Sequence, residues 1–397
     1  MRIAFITSSL EPGQDGVGDY TRRLAAECIR QGHPSIIAGL NDSSISQTIR
    51  QSQKIEGTGV SVLRLPKAMP WSERTREARD WVNTFKPDWV SLQFVPFGFH
   101  PKGLCFGLER RLATINPRGK WHIMFHELWL GLGDKAPVKF RLWGTLQRMM
   151  VRKMTNCLHP QMVHTQAEPY RKVLDQEGIK TSILPLFSNI PRANGNGGES
   201  PLPALLAEAI GPQPDRAKLY LAGVLGAVHP EWNAEQTVNV LLPLVQRSQK
   251  RLVLVFLGRN HLTPAAFDQL KSALQHRADV VVTGERTSDE ISRMLQSLDL
   301  GLATSPRQII QKSGSAAALL DHGLPVLVTR DDWRLRGPDA SVEKTFSRLL
   351  SPHQFARLDT LPMRNPHLPE GNTVKKVADR MLASLQATGP VNRAARL

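Results

Sequence analysis

Apolar residues in the first half of the chain fall into short unbroken runs, separated by longer stretches in which they recur every three or four positions. The runs at 2–8, 35–40, 60–65, 89–94, 122–126, 161–165 and 181–186 have strand length, and the stretches 20–31, 72–85, 140–155 and 168–177 carry the helical period. A continuous apolar run is a strand covered on both faces, so its alternation with helices predicts parallel strands joined by crossovers. The second half repeats the pattern, with strands at 218–225, 252–257, 280–283, 300–303 and 325–328 and helices at 234–248, 264–276, 288–298 and 315–322. Between the halves, 188–213 is rich in Pro, Gly and Asn and reads as a linker with room for one short helix. The expected fold is α/β: two Rossmann-like, doubly wound domains facing each other across a cleft, with ligands at the carboxyl ends of the strands. The expected boundaries are 1–190 for the first domain, 191–215 for the linker, 216–370 for the second domain and 371–397 for a tail whose helix at 374–387 crosses back to the first domain.

Composition sharpens this picture. A chain of 397 residues with 41% hydrophobic content exceeds what one core usually holds. Cys28, Cys105 and Cys157 are odd in number and widely spaced, which argues against a disulfide framework or a metal cluster and for a reducing cytosol. Met1-Arg2 leads straight into IAFITSSL, and no segment reaches spanning length, so the expectation is a cytoplasmic protein that is neither exported by this route nor threaded through a bilayer. The formal charge of +16 points to an anionic partner: a nucleotide, an anionic membrane surface or a nucleic acid. With 6% aromatic residues and no interleaved basic-aromatic strand, nucleic acid is the weakest of these and is not expected.

Four places carry candidate chemistry. After the apolar run LGLATS comes PRQIIQ and then KSGSAAALLDHG, in which Ser313, Gly314 and Ser315 open a helix beside Lys312; unpaired N–H groups and the positive helix end there favour phosphate. The loop after the first strand reads SSLEPGQDGVGDYT, where Gly16 and Gly18 permit close backbone approach and Asp19 with Thr21 can cap the next helix. Its spacing departs from G-x-G-x-x-G, and an ordinary strand-to-helix turn has the same features. His126 ends a strand and is followed by Glu127, whose carboxylate can fix the imidazole tautomer; a satisfied His-Glu surface pair fits equally. Gln93, Phe94, Phe97 and His100 alternate polar and aromatic groups after another strand, which suits the half-apolar face of a sugar as well as a packed loop.

The order GVGDYT, RQGH, LQFVPFGFHPKG, MFHELWLG, TGERTSDEISRMLQSLDLGLATS and HGLPVLV resembles GT-B glycosyltransferases, in particular the large retaining group that acts on nucleotide-sugars. The resemblance implies an acceptor-side first domain and a nucleotide-sugar-binding second domain. It places Gly16, Val17 and Gly18 against the donor diphosphate or sugar, with Asp19 ordering their loop, and His126 as the catalytic group of the sugar pocket. Gln93 and His100 become acceptor contacts, and Gly284 with Glu285 the base-binding turn. The chain also departs from the family. Val224 and His229 stand roughly where that group carries an Arg and a Lys on the diphosphate, and Ile310 and Ala318 where it carries two glutamates. A buried diphosphate needs compensating charge, so Lys312 is the leading replacement and Arg259 the second.

The expected function is therefore transfer of a sugar from a nucleoside diphosphate sugar to an undetermined hydroxyl acceptor, retaining by resemblance, with no metal and no cofactor beyond the donor. Two alternatives stay open: a catalytically degenerate nucleotide- or sugar-binding protein, and a nucleotide-sugar epimerase or hydrolase on the same scaffold. Finally, 139–155 holds Lys139, Arg141, Arg148, Arg152 and Lys153 among Phe140, Leu142, Trp143, Leu146, Met149 and Met150, with no acid. Such a basic amphipathic helix can make peripheral contact with an anionic membrane, at its inner face for a cytoplasmic protein, or it can pack its apolar stripe on the sheet and keep its basic face wet.

Overall fold

A computed structural model of the chain describes residues 1–117, 119–193, 198–260, 262–336, 347–367 and 371–388. Residues 194–197 of the expected linker, 261, 337–346 and 368–370 of the expected second domain, and 389–397 of the tail lie outside the described residues. The described chain forms two compact units. The first holds Met1–Pro185 with 334–336 and 374–388, and the second holds Leu186–Trp333 with 347–367 and 371–373.

In the first unit, strands β1 (Ile3–Thr7), β2 (Ser35–Asp42), β3 (Ile49–Ile55), β4 (Thr58–Pro66), β5 (Trp89–Phe94), β6 (Lys120–Phe125), β7 (Met162–Thr165) and β8 (Ser182–Ile183) form one sheet in the order β3-β4-β2-β1-β5-β6-β7-β8. All neighbours are parallel except β3 and β4. β3 is absent from the sequence reading because IRQSQKI is an edge strand with mostly wet side chains and no apolar run. Glu56 (φ 48°) and Gly57 (φ 84°) turn it into β4, both in the left-handed region that a tight hairpin turn requires. The crossover helices Gly16–Arg30, Trp71–Phe85, Val138–Leu158 and Glu168–Gln176 cover the faces. Helix Val374–Ala387 buries Val377, Ala378, Met381, Leu382 and Leu385 and packs against helix Gly16–Arg30.

The second unit has β9 (Leu219–Leu225), β10 (Arg251–Leu257), β11 (Asp279–Val282), β12 (Leu300–Pro306), β13 (Val326–Arg330) and β14 (Leu349–Leu350), all parallel, in the order β11-β10-β9-β12-β13-β14. Alternate residues feed two cores: Leu252, Leu254 and Phe256 of β10 enter one layer, Val253, Val255 and Leu257 the other. That two-sided burial explains the unbroken apolar run. Within the stretch read as linker, helix Leu202–Ile210 seats Leu202 and Leu206 in the same core as Leu219 and Leu221, so LPALLAEAI is packed structure. β12 continues beyond the expected 303, through a register shift between Ala303 and Pro306.

In both sheets the chain works outward from a central strand on one side and then returns to the centre to work outward on the other. The reversal falls between β1 and β5 in the first unit and between β9 and β12 in the second. At such a point the two following connections leave in opposite directions and open a crevice beyond the carboxyl ends, where ligands of doubly wound sheets bind.

Candidate functional site

At the reversal in the second unit, the loop after β9 brings His229 beside β12, and its N–H donates to Thr304 Oγ1 at 3.2 Å. β12 runs through a 3-10 turn, Arg307–Lys312, into helix Gly314–Asp321. Ser313 caps this helix by accepting from Ala316 N at 3.3 Å, and Ala317 N is taken by Ser313 O at 3.0 Å. Among the described contacts the N–H groups of Gly314 and Ser315 are left without an intramolecular acceptor, as expected of a first helical turn. A Cβ built on Gly314 meets nothing within 4 Å, so the space before those groups is open.

One residue here was not foreseen. Arg330, the last residue of β13, is only 5% exposed, and its Nη1 lies 2.6 Å from His229 Nδ1. Its Nη2 donates to Glu231 Oε2 at 2.6 Å and to Asp332 Oδ2 at 2.9 Å, both carboxylates well exposed to solvent. Burial first, then the charges of Arg330 and Lys312, hold His229 below its ordinary pKa, against the opposing pull of Glu231 and Asp332. His229, Lys312 and Arg330 thus bring two cations and an imidazole together beside the Ser313-Gly314-Ser315 turn, with Glu231 and Asp332 on Arg330. A charged residue ending an apolar strand (LPVLVTRDDW) was the available signal for Arg330. At the positions where the resemblance predicts acids or an arginine, Val224, Ile310 and Ala318 are core residues.

At the reversal in the first unit, Asp15 rather than Asp19 caps the helix, which starts at Gly16 instead of the expected 20; its Oδ1 accepts from Val17 N at 2.9 Å. Thr21 Oγ1 turns back to Val17 O at 2.6 Å and caps nothing. Asp19 holds the loop by accepting from Gly13 N at 3.1 Å and pairing with Arg22. Gly18 sits where a Cβ would come within 2.6 Å of the Ser9 carbonyl, so the helix start and the β1 loop touch backbone to backbone. Asn41, at the end of β2, joins the surrounding loops: its N–H donates to Ser8 O at 2.7 Å, its Nδ2 to Gly98 O at 2.8 Å, and its Oδ1 accepts from Arg74 Nη1 at 2.7 Å. Burial raises the pKa of Asp15, partly offset by the N–H groups of Val17 and Gly18. Asp15 and Asn41 line a cavity of about 330 Å³ with Ser8, Ser44, Lys67 and Phe97 on its wall. Neither Asp15, Asn41 nor Lys67 was picked out from the sequence, although an Asp immediately before the first helical turn is a recognisable cap. A larger cavity, about 780 Å³, opens at the amino ends of β7 and β8, the opposite end of the sheet from the crevice.

His126 follows β6 and is 5% exposed. Gln93 Oε1 lies 2.8 Å from its Nε2, and Gln166 Nε2 lies 2.8 Å from its Nδ1. The amide of Gln166 donates to Nδ1 and the carbonyl of Gln93 accepts from Nε2, so the two amides hold the ring as the neutral tautomer with its proton on Nε2. The chain continues inward. Gln93 Nε2 donates to Ser91 Oγ at 2.8 Å, Ser91 Oγ lies 2.8 Å from His122 Nδ1, and His122 Nε2 lies 3.0 Å from His164 Nδ1. Gln93 is therefore an interior link. Burial drives His122 well below its usual pKa and His164 down to about 4, so both are neutral donors and acceptors.

The remaining candidates stand apart from these groups. His100 accepts from Lys102 N at 3.2 Å and Leu104 N at 3.3 Å, ordering its own loop. Arg259, after β10, pairs with Glu285, after β11, so two residues read separately as ligand contacts hold each other. Gly284 (φ 66°) makes the turn between β11 and Glu285.

No family model matches the chain, and no curated protein matches it. Solved structures do. The UDP-GlcNAc 2-epimerase from Methanocaldococcus jannaschii aligns over 98% of this chain and 100% of its own at a TM-score of 0.55 and 12% identity. Anabaena HepE in complex with UDP and glucose aligns over 98% and 90% at 0.52 and 14%. The UDP-forming α,α-trehalose-phosphate synthase from Burkholderia xenovorans, in complex with glucose-6-phosphate, aligns over 98% and 97% at 0.52 and 8%. At these identities the likeness concerns the fold, and that fold is GT-B, shared by enzymes that act on UDP-sugars.

Proposed function

We propose that this protein is a glycosyltransferase that moves a sugar from a nucleoside diphosphate sugar, with uridine as the favoured base, to a hydroxyl acceptor. The observation that carries the reading is the cluster of Lys312, Arg330 and His229 beside the N–H groups of Gly314 and Ser315, at the reversal point between β9 and β12. In this reading Arg330 supplies the guanidinium missing from the β9 loop. It exchanges its exposed partners Glu231 and Asp332 for the diphosphate, a planar bidentate match for the guanidinium. Arg259, Gly284 and Glu285 lie at the ends of β10 and β11, where they suit the base and ribose.

The first unit then holds the acceptor. The cavity at the β1 and β5 ends falls in the size range of small-molecule sites, and its hydroxyl and amide walls with one aromatic suit a polyol. Asp15, which caps the helix turn of Gly16, Val17 and Gly18, lines it, and Asp19 orders the preceding loop. His126 acts in the sugar pocket as a neutral, rigidly aimed ring whose orientation Gln93 and Gln166 fix. The chain supplies positioning and leaving-group stabilisation, while the departing phosphate takes the acceptor proton. Retention of configuration belongs to this proposal through the family resemblance.

A second reading, an epimerase acting on a UDP-sugar, is favoured by one observation: Asp15 is a partly buried carboxyl with a raised pKa, as an acid-base group would need. Incubation with a panel of UDP-sugars, followed by proton NMR, separates the two. Transfer predicts UDP release that accelerates with acceptor alcohols, and epimerisation predicts a new UDP-sugar without UDP. UDP-sugar binding without either product would leave the degenerate binding protein, and no binding would end the reading.

A further inference from the structure

The helix Val138–Leu158 has two apolar faces. One, with Gln147, Met150, Val151, Met154 and Leu158, is buried in the first unit. The other consists of Val138, Leu142, Leu146 and Met149, spaced i, i+4, i+8 and i+11 so that they share one side of the helix, roughly opposite the buried one. Val138 is 67% and Leu142 68% exposed. The apolar stripe that packs on the sheet and the apolar stripe in solvent are therefore different residues.

The helix is firmly seated. A Cβ on Gly144 would come within 1.9 Å of Leu130 O, Leu130 N donates to Gln147 Oε1 at 2.9 Å, and Trp143 Nε1 donates to Lys102 O at 2.8 Å. Phe140, 41% exposed, adds an aromatic ring near the start of the same helix. Five of the eight large apolar residues left exposed among the described residues, Val138, Phe140, Leu142, Leu146 and Met149, therefore lie on this one helix.

Cations outnumber acids around this stripe, where Asp134 is exposed near Arg141. Lys102, Lys139, Arg141 and Lys153 are exposed, Arg141 donates only to the carbonyls of Ala136 and Asp134 at 2.9 and 3.0 Å, and among the described residues no carboxylate pairs with any of the four. Arg148 and Arg152 behave differently: both are held by Glu177, at 2.7 and 2.6 Å. Those two arginines, grouped with the others in the sequence, are committed within the unit, and the uncommitted cations border the apolar stripe. No helix among the described residues is long and apolar enough to cross a membrane.

We infer that this outer face of Val138–Leu158 lies on an anionic lipid bilayer, with Val138, Leu142, Leu146 and Met149 entering the headgroup boundary and Lys102, Lys139, Arg141 and Lys153 meeting the lipid phosphates. Interfacial helices combine an apolar stripe with flanking cations in this way, and the surrounding charge of +16 adds long-range attraction. The inference does not depend on the proposed reaction, because no nucleotide or sugar enters it.

The test is co-sedimentation of the full chain with sucrose-loaded vesicles of equimolar phosphatidylglycerol and phosphatidylcholine, and with phosphatidylcholine alone, at low and high salt. The wild type should pellet with the anionic vesicles at low salt, less at high salt, and stay in solution with phosphatidylcholine. The triple substitution Lys139→Gln, Arg141→Gln, Lys153→Gln should lower partitioning about a hundred-fold. The pair Leu142→Ser, Leu146→Ser should weaken it at both salts, with thermal midpoints unchanged because all five positions are exposed. Wild type left in solution with anionic vesicles at low salt, or both variants pelleting like wild type, would overturn the inference. So would a concentration-dependent dimer that the Leu142→Ser, Leu146→Ser pair dissolves while vesicle binding persists, since a second copy would then be the occupant.

Discussion

Arg330 Nη1 lies 2.6 Å from His229 Nδ1. A guanidinium only donates, and Glu231 N approaches the same nitrogen at 3.2 Å, so the imidazole meets Arg330 with an acceptor nitrogen and is neutral. Burial, Arg330 and Lys312 hold the pKa below the ordinary 6.5. A diphosphate seated beside the imidazole replaces a cationic field with an anionic one and raises that pKa.

Binding should therefore take up a proton at mildly acidic pH, between the lowered and the raised value. Calorimetric titration of UDP in two buffers of different ionisation enthalpy should give different apparent enthalpies with the sign of uptake, and His229→Gln should abolish the difference. Equal enthalpies for the wild type in both buffers would remove His229 from the phosphate's surroundings.

Gly18→Ala and Gly314→Ala should act in opposite ways although both place alanine in a first helical turn. Alanine favours a helix by about 1 kcal/mol. At Gly18 the new Cβ sits 2.6 Å from a backbone carbonyl that cannot rotate away, and forcing the β1 loop outward costs about 1–3 kcal/mol, so the clash wins. The thermal midpoint should fall by a few degrees. At Gly314 the space is open, so the midpoint should hold or rise while UDP affinity falls. A stabilised Gly18→Ala protein would show that the loop yields easily.

Acid should destabilise the first unit through His122 and His164. Both have folded pKa values below the unfolded one, by direction for His122 and to about 4 for His164. The unfolded chain then binds more protons, so the contribution is complete above about pH 6.5 and is lost as pH falls toward 4, at about 1.4 kcal/mol per pH unit for each histidine. His322, buried in the second unit and also lowered to about 4, adds the same sign there. Melting curves between pH 7 and 4 should show the fall, and His164→Gln should reduce its slope. An unchanged slope would mean that His164 is solvated in the folded state.

Strands β1, β2, β5, β6, β9 and β10 were legible because both their faces are buried, which writes burial directly into the sequence as unbroken apolar runs. β3 was not, since an edge strand needs no such run. The helix starting at Gly16 was placed four residues late because two glycines read as loop, while the cap that starts it, Asp15, was passed over. Within the candidate site, only Lys312 to Ser315 form a local motif that a sequence can show. Arg330 reaches His229 from 101 residues away, and Gln166 reaches His126 from 40, through sheet order and register that no local pattern encodes. For the same reason the outer stripe of Val138–Leu158 could not be separated from the inner one until the helix had a neighbour.

The central claim is that a nucleoside diphosphate sits against Lys312, Arg330 and the Gly314 turn, and titration of UDP and of uridine into the wild type, Lys312→Ala and Arg330→Gln tests it most directly. A charge-assisted contact to phosphate is worth about 1.5–3 kcal/mol, so each substitution should weaken UDP by about ten- to a hundred-fold and leave uridine unchanged. Glu231 and Asp332 are solvent-exposed, so losing Arg330 strands no buried charge, and both variants should fold. Failure of the wild type to bind UDP, or equal UDP affinity in all three proteins, would contradict the account.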